Sequence, residues 1–336
     1  MSLPPFDPSN PDHLWQAASN CLDAGDYSRL KANLVRLIGI RPEHADAHNC
    51  LGQALLAEGE WLAGWRETEW DVVSQFPGAP IPPLGSMEWN GMRLPDDRIV
   101  VLADRGYGDI FQFCRFISVV ATMCREVALV CDPDLATFMS RVSGVSGVYT
   151  RWIDVPSHAA HIRLTHVPMV LGITEATIPR QSPYLRALPA RYAAWERRLS
   201  ARDNYRVGLC WAGSSVHPGR INRILAEEAF APLYKVKAAQ FVSLMWSDAL
   251  FDWDETAALI HCLDLVITVD TSIAHLAAAM GKPTWILLGK PFCWRWLLER
   301  TDSPWYPTAR LFRQTINDDY TGVIADAAAA LRELLR

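Results

Sequence analysis

About the first 70 residues repeat a pattern of apolar positions at helical spacing. The segments LWQAASNCLDAGDY (Leu14–Tyr27) and HNCLGQALLAEGEW (His48–Trp61) begin 34 residues apart, and Gly25 aligns with Gly59. Each segment is followed by a second helical pattern, SRLKANLVRLIGIRP and LAGWRETEWDVV respectively. Pro42 ends the first unit, because proline interrupts a helix. Each unit is therefore predicted to be a helix, a short glycine turn and a second helix.

A helix–turn–helix unit with this period resembles the tetratricopeptide repeat. Small residues at Ala18, Gly52 and Ala54 would let the paired helices approach closely. Two repeats are few for a free-standing array, which usually needs about three. We therefore expect residues 1–74 to form a tetratricopeptide-like module that packs against the next domain. The alternative is an ordinary pair of helical hairpins.

The pattern changes after residue 74. Residues 75–97, QFPGAPIPPLGSMEWNGMRLPDD, lack periodicity and are rich in proline and glycine, so they are predicted to be a linker in which Trp89 contacts a surface. From residue 98 to 188, the short apolar runs RIVVLA, EVALVC and GVYT alternate with helical patterns. Strands that alternate with helices indicate a parallel sheet covered on both faces.

A second alternating series occupies residues 189–336. The runs RVGLCWAG, AQFVSLMW, DLVITVD and KPTWILL are predicted strands, and GVIADAAAALRELLR is a closing helix. The predicted fold class is α/β: a pair of Rossmann-type αβα domains preceded by a short α-helical module. Ligands of such sheets bind outside the carboxyl ends of the strands, so the cleft between the two lobes is the expected site.

Composition and charge narrow the class of protein. The 336 residues are 50% hydrophobic and 21% charged, with a formal net charge of −5. This balance disfavours a general nucleic-acid binder. No run approaches the ~20 apolar residues of a membrane span, and the first residues lack the basic and apolar regions of a signal peptide. The eight scattered cysteines include no C-x-x-C pair, which favours reduced thiols. We expect a cytoplasmic protein without a membrane span.

Three strand-to-helix turns contain candidate functional residues. In the first, ADRGYGDIFQF, Gly106 and Gly108 permit close backbone approach, and Asp109 lies where a helix begins. Asp109 is either an N-cap or a general base facing the cleft, and its position alone favours neither. The spacing G-x-G-D differs from the dinucleotide fingerprint G-x-G-x-x-G, which disfavours nicotinamide binding.

The second turn is WAGSSVHPGRINR, which follows a strand ending at Trp211. Gly213 and Ser214 offer an open backbone there. The loop continues with four polar or basic residues: His217, Arg220, Asn222 and Arg223. Arginine is suited to phosphate recognition because its planar fork matches phosphate oxygens. The alternative is a solvated basic loop.

The third turn lies between the predicted strand Leu263–Val269 and a helix rich in small residues. Asp270, Thr271 and Ser272 form the turn, and the hydroxyls are suitable caps. The free N–H groups at the start of the helix and its positive dipole end predict a phosphate or diphosphate site without a metal. His275 shares this end of the helix.

Two other chemistries are disfavoured. Asp270, Ser272 and His275 are too close in sequence for a hydrolase triad, and no G-x-S-x-G elbow surrounds the serine. The D-x-D spacing in FDWDE resembles a metal-binding motif of some sugar transferases, but it directly precedes a helix, where aspartate is an ordinary cap. We therefore expect no metal site.

Four segments of the chain together resemble a known family. DLVITVDTSIAHLAAAMGKPTWILL, followed by WRWLLERTDSPWYPTARLFRQ, resembles the C-terminal half of heptosyltransferase-type, family 9 glycosyltransferases. DRGYGDIFQFCRF and VGLCWAGSSVHPGRINRI resemble their N-terminal glycine-rich turn and their second-domain entry loop. The resemblance covers Leu14 to Arg336. The chain is thus similar to bacterial proteins that fuse tetratricopeptide repeats to such a domain.

The resemblance implies a GT-B fold, with two Rossmann-like domains facing a cleft, and metal-independent, inverting transfer. Asp109 matches the acid that serves as catalytic base, and Arg223 falls in a loop with a phosphate contact. The segment contacting the donor's diphosphate and sugar matches Asp270, Thr271, Ser272 and His275. The implied ligand is a nucleotide-sugar donor, with no further cofactor.

The sequence also departs from the family pattern. Relatives usually read Glu-Gln at Asp104-Arg105, and an aspartate usually stands at Cys293 before Trp-Arg-Trp. The lobes are shorter than those of lipopolysaccharide heptosyltransferases, which implies a different acceptor.

Two functions from different classes remain open. In the first, the chain transfers a sugar from the donor to an acceptor hydroxyl, and the repeats present the acceptor, a protein such as flagellin or a surface polysaccharide. In the second, the chain is a non-catalytic interaction protein whose glycosyltransferase-like domain is degenerate. A sugar-nucleotide epimerase fits less well, because the repeats and the SPWYP run match the transferases.

Overall fold

The computed structural model describes residues 6–70, 87–199, 204–213, 224–245, 247, 250, 252–290, 293–316 and 319–336. The described chain has an N-terminal helical part followed by two lobes, each built on one parallel sheet. The helices are α1 (Pro11–Ala24), α2 (Tyr27–Ile40), α3 (Ala45–Ala57), α4 (Trp61–Thr68), α5 (Tyr107–Phe113), α6 (Ile117–Val120), α7 (Pro133–Met139), α8 (Val167–Val170), α9 (Pro189–Arg198), α10 (Ala231–Tyr234), α11 (Trp253–His261), α12 (Ser272–Ala279) and α13 (Thr321–Leu334). The strands are β1 (Leu94–Leu102), β2 (Cys124–Val130), β3 (Gly147–Tyr149), β4 (Ala160–Arg163), β5 (Tyr205–Cys210), β6 (Ala239–Ser243), β7 (Leu265–Val269), β8 (Thr284–Leu288) and β9 (Ala309–Arg313).

The helical part consists of two successive hairpins, α1–α2 and α3–α4. Helices α1 and α3 begin 34 residues apart, and so do α2 and α4. Gly25 ends α1 with φ +73°, a left-handed conformation that glycine adopts without strain. The predicted helices and turns of this region are therefore confirmed, whereas their assignment to the tetratricopeptide class stays a prediction.

Helices α3 and α4 cross at two glycines. A methyl group on Gly52 would lie 2.9 Å from the carbonyl oxygen of Gly64, and one on Gly64 would lie 3.0 Å from the carbonyl oxygen of Gly52. The expectation that Gly52 lets paired helices approach closely is confirmed. The close crossing brings Trp61 and Trp65 of α4 into one continuous core with the two lobes.

The first lobe contains a four-stranded sheet in the order β3–β2–β1–β4, with every pairing parallel. Strand β1 begins inside the predicted linker 75–97, and Trp89 is 2% exposed and donates its N–H to the carbonyl of His161 over 2.7 Å. The expectation that Trp89 is pinned is confirmed. Strand β4 was not predicted, because its four residues include His161 and Arg163 and lack a hydrophobic run.

The second lobe contains a five-stranded parallel sheet in the order β6–β5–β7–β8–β9. Edge strand β9 was not predicted, because its five residues, ARLFR, include two arginines and contain no long apolar run. The α/β prediction with parallel sheets is confirmed. Chain order reverses between β1 and β4 and between β5 and β7, so crevices are expected at the carboxyl ends of these strands.

The described residues include no helix with the length and apolar character needed to cross a membrane. Helix α9, which starts at Pro189, is tied to α11 of the second lobe: Arg191 donates to Asp252 over 2.8 Å, and the Trp195 Nε1–H donates to Glu255 over 2.7 Å. These bonds accord with a second lobe that starts near residue 189.

Candidate active site

Asp109 lies in the first turn of α5, directly beyond the carboxyl end of β1. The helix is capped by the extended backbone of Gly106 (φ −61°, ψ 160°), so the cap interpretation of Asp109 is wrong. The Asp109 side chain is 15% exposed and accepts a hydrogen bond from the Nη2 atom of Arg295 in the second lobe. Asp109 is therefore a partly buried carboxylate at the boundary between the lobes.

Helix α5 of the first lobe packs against α12 of the second lobe. Gly108 is at the contact: a methyl group there would lie 2.9 Å from Cδ2 of His275 and 3.6 Å from the Cα of Ser272. The expected close backbone approach is thus observed at Gly108. The structure brings the first and third predicted turns together, although they lie in different lobes.

The start of α12 differs in one respect from the expectation. Thr271 has an extended backbone (φ −139°, ψ 171°), but its side chain makes no cap hydrogen bond within the described residues. Its hydroxyl lies 3.0 Å from the hydroxyl of Thr268, which is fully buried on β7 and itself donates to the carbonyl of Val269 over 2.8 Å. The prediction that the Thr271 hydroxyl caps α12 is therefore wrong, and this side chain makes no hydrogen bond to the first N–H groups of the helix. Such groups favour an anion.

His275 is held in place on three sides. It is 4% exposed, its Nδ1 lies 2.8 Å from the hydroxyl of Tyr306, and its ring stacks on Trp296 with a 5.0 Å centroid separation. Its Nε2 lies 4.0 Å from Oδ1 of Asp270. Burial raises the pKa of Tyr306 well above its ordinary value, so this hydroxyl stays protonated beside the imidazole.

The second predicted turn also approaches α12. A methyl group on Gly213 would lie 3.3 Å from Cγ2 of Thr271, which places the end of β5 beside the end of β7. The N–H of Leu225 donates to the carbonyl of Trp211 over 2.9 Å, so both ends of the intervening loop are held at this edge. Five residues of the loop lie outside the described residues: Ser214, His217, Arg220, Asn222 and Arg223.

Sequence reasoning missed Arg295. It lies in a short 3₁₀ turn, Trp294–Trp296, that follows β8, and its guanidinium is 4.5 Å from the ring centroid of Trp294. Burial by itself lowers the pKa of Arg295, but the charges of Asp109 and Asp270 and the hydrogen bond to Cys293 raise it above its ordinary value. The motif WRW after a buried strand was the available signal, and it entered only through the family resemblance.

The two positions that depart from the family pattern have clear structural surroundings. Asp104 is 2% exposed and accepts hydrogen bonds from the N–H and hydroxyl of Thr165, over 3.2 and 2.6 Å, which join the ends of β1 and β4. Burial raises the pKa of Asp104 despite these bonds. Cys293 accepts from Nη1 of Arg295 over 3.2 Å.

The acids of FDWDE are engaged in structural contacts. Asp252 caps α11 by accepting from the N–H of Glu255 over 2.6 Å, and Asp254 pairs with Arg141 of the first lobe. The cap interpretation is confirmed for Asp252. Among the described residues, no group of three or more histidine, cysteine or acidic side chains could hold a metal ion.

Together these groups define the chemistry available at the lobe boundary. The first lobe provides a carboxylate, Asp109, that can accept a proton. The second lobe provides a helix start and a guanidinium, which stabilise negative charge. A carboxylate that faces an anion-binding end is suited to group transfer with an anionic leaving group.

Comparison with known protein families agrees with a group-transfer enzyme. Residues 189–292 match the profile of glycosyltransferase family 9 (heptosyltransferase), a range that includes Gly213 and the Asp270–His275 segment. This part of the second lobe is therefore similar to a family 9 glycosyltransferase domain, and the prediction of a glycosyltransferase is confirmed at the level of this domain.

Individual relatives are more distant. The chain is 22% identical to Protein FlbA of Caulobacter vibrioides, over 83% of this chain and 54% of that protein. It thus spans about half the length of this curated relative.

Among solved structures, a family 9 glycosyl transferase from Veillonella parvula aligns with a TM-score of 0.52 at 14% identity, over 74% of this chain and 99% of that one. The ADP-heptose lps heptosyltransferase II of E. coli aligns with a TM-score of 0.47 at 13% identity, over 71% and 98%. The first of these likenesses shows that the two lobes share the fold of a family 9 glycosyltransferase.

Proposed function

We propose that this protein is a metal-independent, inverting glycosyltransferase that moves a sugar from a nucleotide-sugar to an acceptor hydroxyl. The observation that carries the proposal is the contact between α5 and α12. In this contact Gly108, the neighbour of Asp109, packs against Ser272 and His275 of α12, and Asp109 pairs with Arg295 of the second lobe. The family 9 match over the second lobe supports the donor class.

The proposed reaction is a single displacement at the anomeric carbon. The acceptor oxygen forms a bond to that carbon while the bond from the carbon to the diphosphate oxygen breaks. The electron pair leaves with the diphosphate, and the acceptor proton passes to Asp109. The N–H groups at the start of α12, together with Arg295, stabilise the charge that develops on the diphosphate. Asp270 and His275 are assigned to the donor sugar side, with Thr271 and Ser272 at the diphosphate.

The predicted domain division is part of the proposal: residues 1–74 as two tetratricopeptide-like repeats, 75–97 as a linker, 98–188 as the acceptor lobe and 189–336 as the donor lobe. The 34-residue spacing of the hairpins supports the repeat assignment. We assign presentation of the acceptor, a protein such as flagellin or a surface polysaccharide, to the hairpins. A cytoplasmic location fits the use of a nucleotide-sugar.

A thermal-shift screen across UDP-, GDP-, ADP-, dTDP- and CMP-sugars identifies the donor, because a ligand that binds the folded state raises the unfolding midpoint. Donor hydrolysis and transfer are then compared between wild-type protein and Asp109→Asn. We expect turnover to fall by about 100-fold or more with donor binding retained. Near-wild-type turnover of Asp109→Asn would contradict the assigned role.

The second candidate is a nucleotide-binding protein without turnover. The ion pair between Asp109 and Arg295 favours it, because the guanidinium occupies the carboxylate oxygen that an acceptor hydroxyl would have to approach. Binding of a nucleotide-sugar without hydrolysis or transfer, even with candidate acceptors present, would support this alternative.

A further inference from the structure

Arg295 occupies a position between the acids of the two lobes. It donates to Asp109 of the first lobe, and its charge interacts with Asp270 at the end of β7 in the second lobe. Both members of the Asp109 pair are sheltered, with 15% and 19% of their side chains exposed. Solvent and salt screen a partly buried ion pair less than a surface pair, so forming or breaking this pair changes the free energy measurably.

The backbone that carries Arg295 is fixed by the helical hairpin. Trp65 of α4 packs edge-on against Trp294 at 5.4 Å and 89°, and the N–H of Leu298 donates to the carbonyl of Ala57 over 3.2 Å. On the other side, Trp296 stacks on His275. With the neighbouring backbone held, the part of Arg295 able to change partner is its long side chain.

We propose that Arg295 is an anion-responsive latch on Asp109, an inference that rests on the proposed function. Without donor, the guanidinium pairs with Asp109. When a diphosphate occupies the start of α12, Arg295 pairs with the diphosphate and releases Asp109. The diphosphate is the stronger competitor, because it presents more negative charge and several oxygens to the planar fork of arginine.

The latch has a direct energetic consequence. Diphosphate binding must break the Asp109 pair, so the pair opposes binding. Removing the Asp109 charge should therefore tighten diphosphate binding, and only while Arg295 is present. A structural role for Arg295 predicts no such gain. The coupling is reciprocal. A change that weakens the Asp109–Arg295 pair strengthens diphosphate binding, and diphosphate binding weakens the pair by the same free energy.

The test is a binding cycle with inorganic pyrophosphate, measured by isothermal titration calorimetry on the full chain. Asp109→Asn should bind pyrophosphate about fivefold or more tightly than wild type, and Arg295→Met about tenfold or more weakly. In the double variant, the gain from Asp109→Asn should vanish.

Arg300→Met is the matched control. Arg300 also joins the lobes, through Nη1 to Oε1 of Glu175 over 3.1 Å, but it does not contact Asp109. We expect pyrophosphate binding by Arg300→Met to stay within about twofold of wild type. A loss equal to that of Arg295→Met would overturn the latch, because it would trace the effect to lobe contact in general.

If Arg295→Met does not fold, as judged by circular dichroism, Arg295→Lys replaces it. Lysine keeps the charge but loses the fork, so the Asp109→Asn gain should shrink without vanishing. An Asp109→Asn variant that binds pyrophosphate no more tightly than wild type would overturn the proposal. The proposed function fails separately, if wild-type protein turns over no nucleotide-sugar.

Discussion

Gly108 of α5 and His275 of α12 touch across the two lobes, and the contact leaves no room for a side chain at residue 108. A methyl group on Gly108 would lie 2.9 Å from Cδ2 of His275. The imidazole cannot retreat easily, because Trp296 and Tyr306 pack against it. This contact limits how closely the first turn of α5, which carries Asp109, approaches the first turn of α12.

Gly108→Ala should therefore reduce turnover. The added methyl displaces α5 relative to α12, and a misplacement of about 1 Å at a reacting centre can cost about 100-fold in rate. We expect kcat to fall by about tenfold or more in a donor-hydrolysis assay.

Gly322→Ala is the control for that change, because a methyl group at Gly322 of α13 meets nothing within 4 Å. Equal activity in the two variants would show that the Gly108 contact does not matter for the reaction.

The crossing of α3 and α4 predicts opposite effects of one substitution at two helical glycines. At Gly52 an added methyl group would lie 2.9 Å from a backbone oxygen, whereas at exposed Gly39 of α2 it meets nothing within 4 Å. Gly52→Ala should destabilise the protein by ~1–3 kcal/mol through overpacking. Gly39→Ala should stabilise it by up to ~1 kcal/mol through helix propensity. Urea unfolding monitored by circular dichroism measures both, and stabilisation by Gly52→Ala would contradict the observed crossing.

Trp65 should link the helical hairpin to both lobes. Its Nε1–H donates to the carbonyl of Ile173 over 2.8 Å, and its ring packs edge-on against Trp294. Trp65→Ala should lower the free energy of unfolding by ~3–5 kcal/mol. Trp65→Phe retains apolar contact but loses the hydrogen bond, so it should cost about 1–3 kcal/mol by leaving a buried carbonyl unpaired.

The exposed Trp70 is the comparison for Trp65, because 40% of this residue is exposed, against 3% of Trp65. Trp70→Ala should change stability by under about 1 kcal/mol. Similar losses for the two tryptophans in thermal and urea unfolding would argue against a specific anchoring role for Trp65.

His166, the last residue of the short 3₁₀ turn after β4, should make stability depend on pH. Burial, together with the positive charges of Arg163 and Arg105, lowers its pKa from 6.5 to about 3. Glu88 lies 3.7 Å from Nδ1 but is 54% exposed and does not offset the burial. The neutral ring is thus favoured in the folded state. Its contribution is fully present above about pH 6.5 and is lost as the pH falls towards 3, by up to ~1.4 kcal/mol per pH unit.

The measurement is the free energy of unfolding between pH 4 and pH 8 for wild type and for His166→Gln, which cannot take up a proton. The variant should show a shallower decline below pH 6.5. His13→Gln, at a partly exposed position on α1, controls for the loss of a histidine as such. If the free energy of unfolding of His166→Gln depended on pH as it does in wild type, His166 would not be a cause of the pH dependence.

Much of the architecture could be read from local patterns. The helical spacing along α1 to α4 and the apolar runs of β1, β2, β7 and β8 identified these elements, because each side chain's preference depends mainly on residues a few positions away. Local patterns did not predict strands β4 and β9. They are short and carry charged residues, and their pairing with β1 and β8 stabilises them, which no local pattern reports.

The candidate site divides in the same way. Gly108, Asp109 and the Asp270–His275 segment were found because turns after buried strands in an α/β chain lie at the ligand edge. The local pattern did not show that the Thr271 hydroxyl contacts the buried hydroxyl of Thr268 on β7 and makes no bond to its own helix. Asp109 and Arg295 lie 186 residues apart, and their pairing depends on how two separate sheets dock and on tryptophans from the helical hairpin. The local sequence thus determined the elements and the edge of each sheet that carries chemistry, whereas packing between distant segments decided which charges meet.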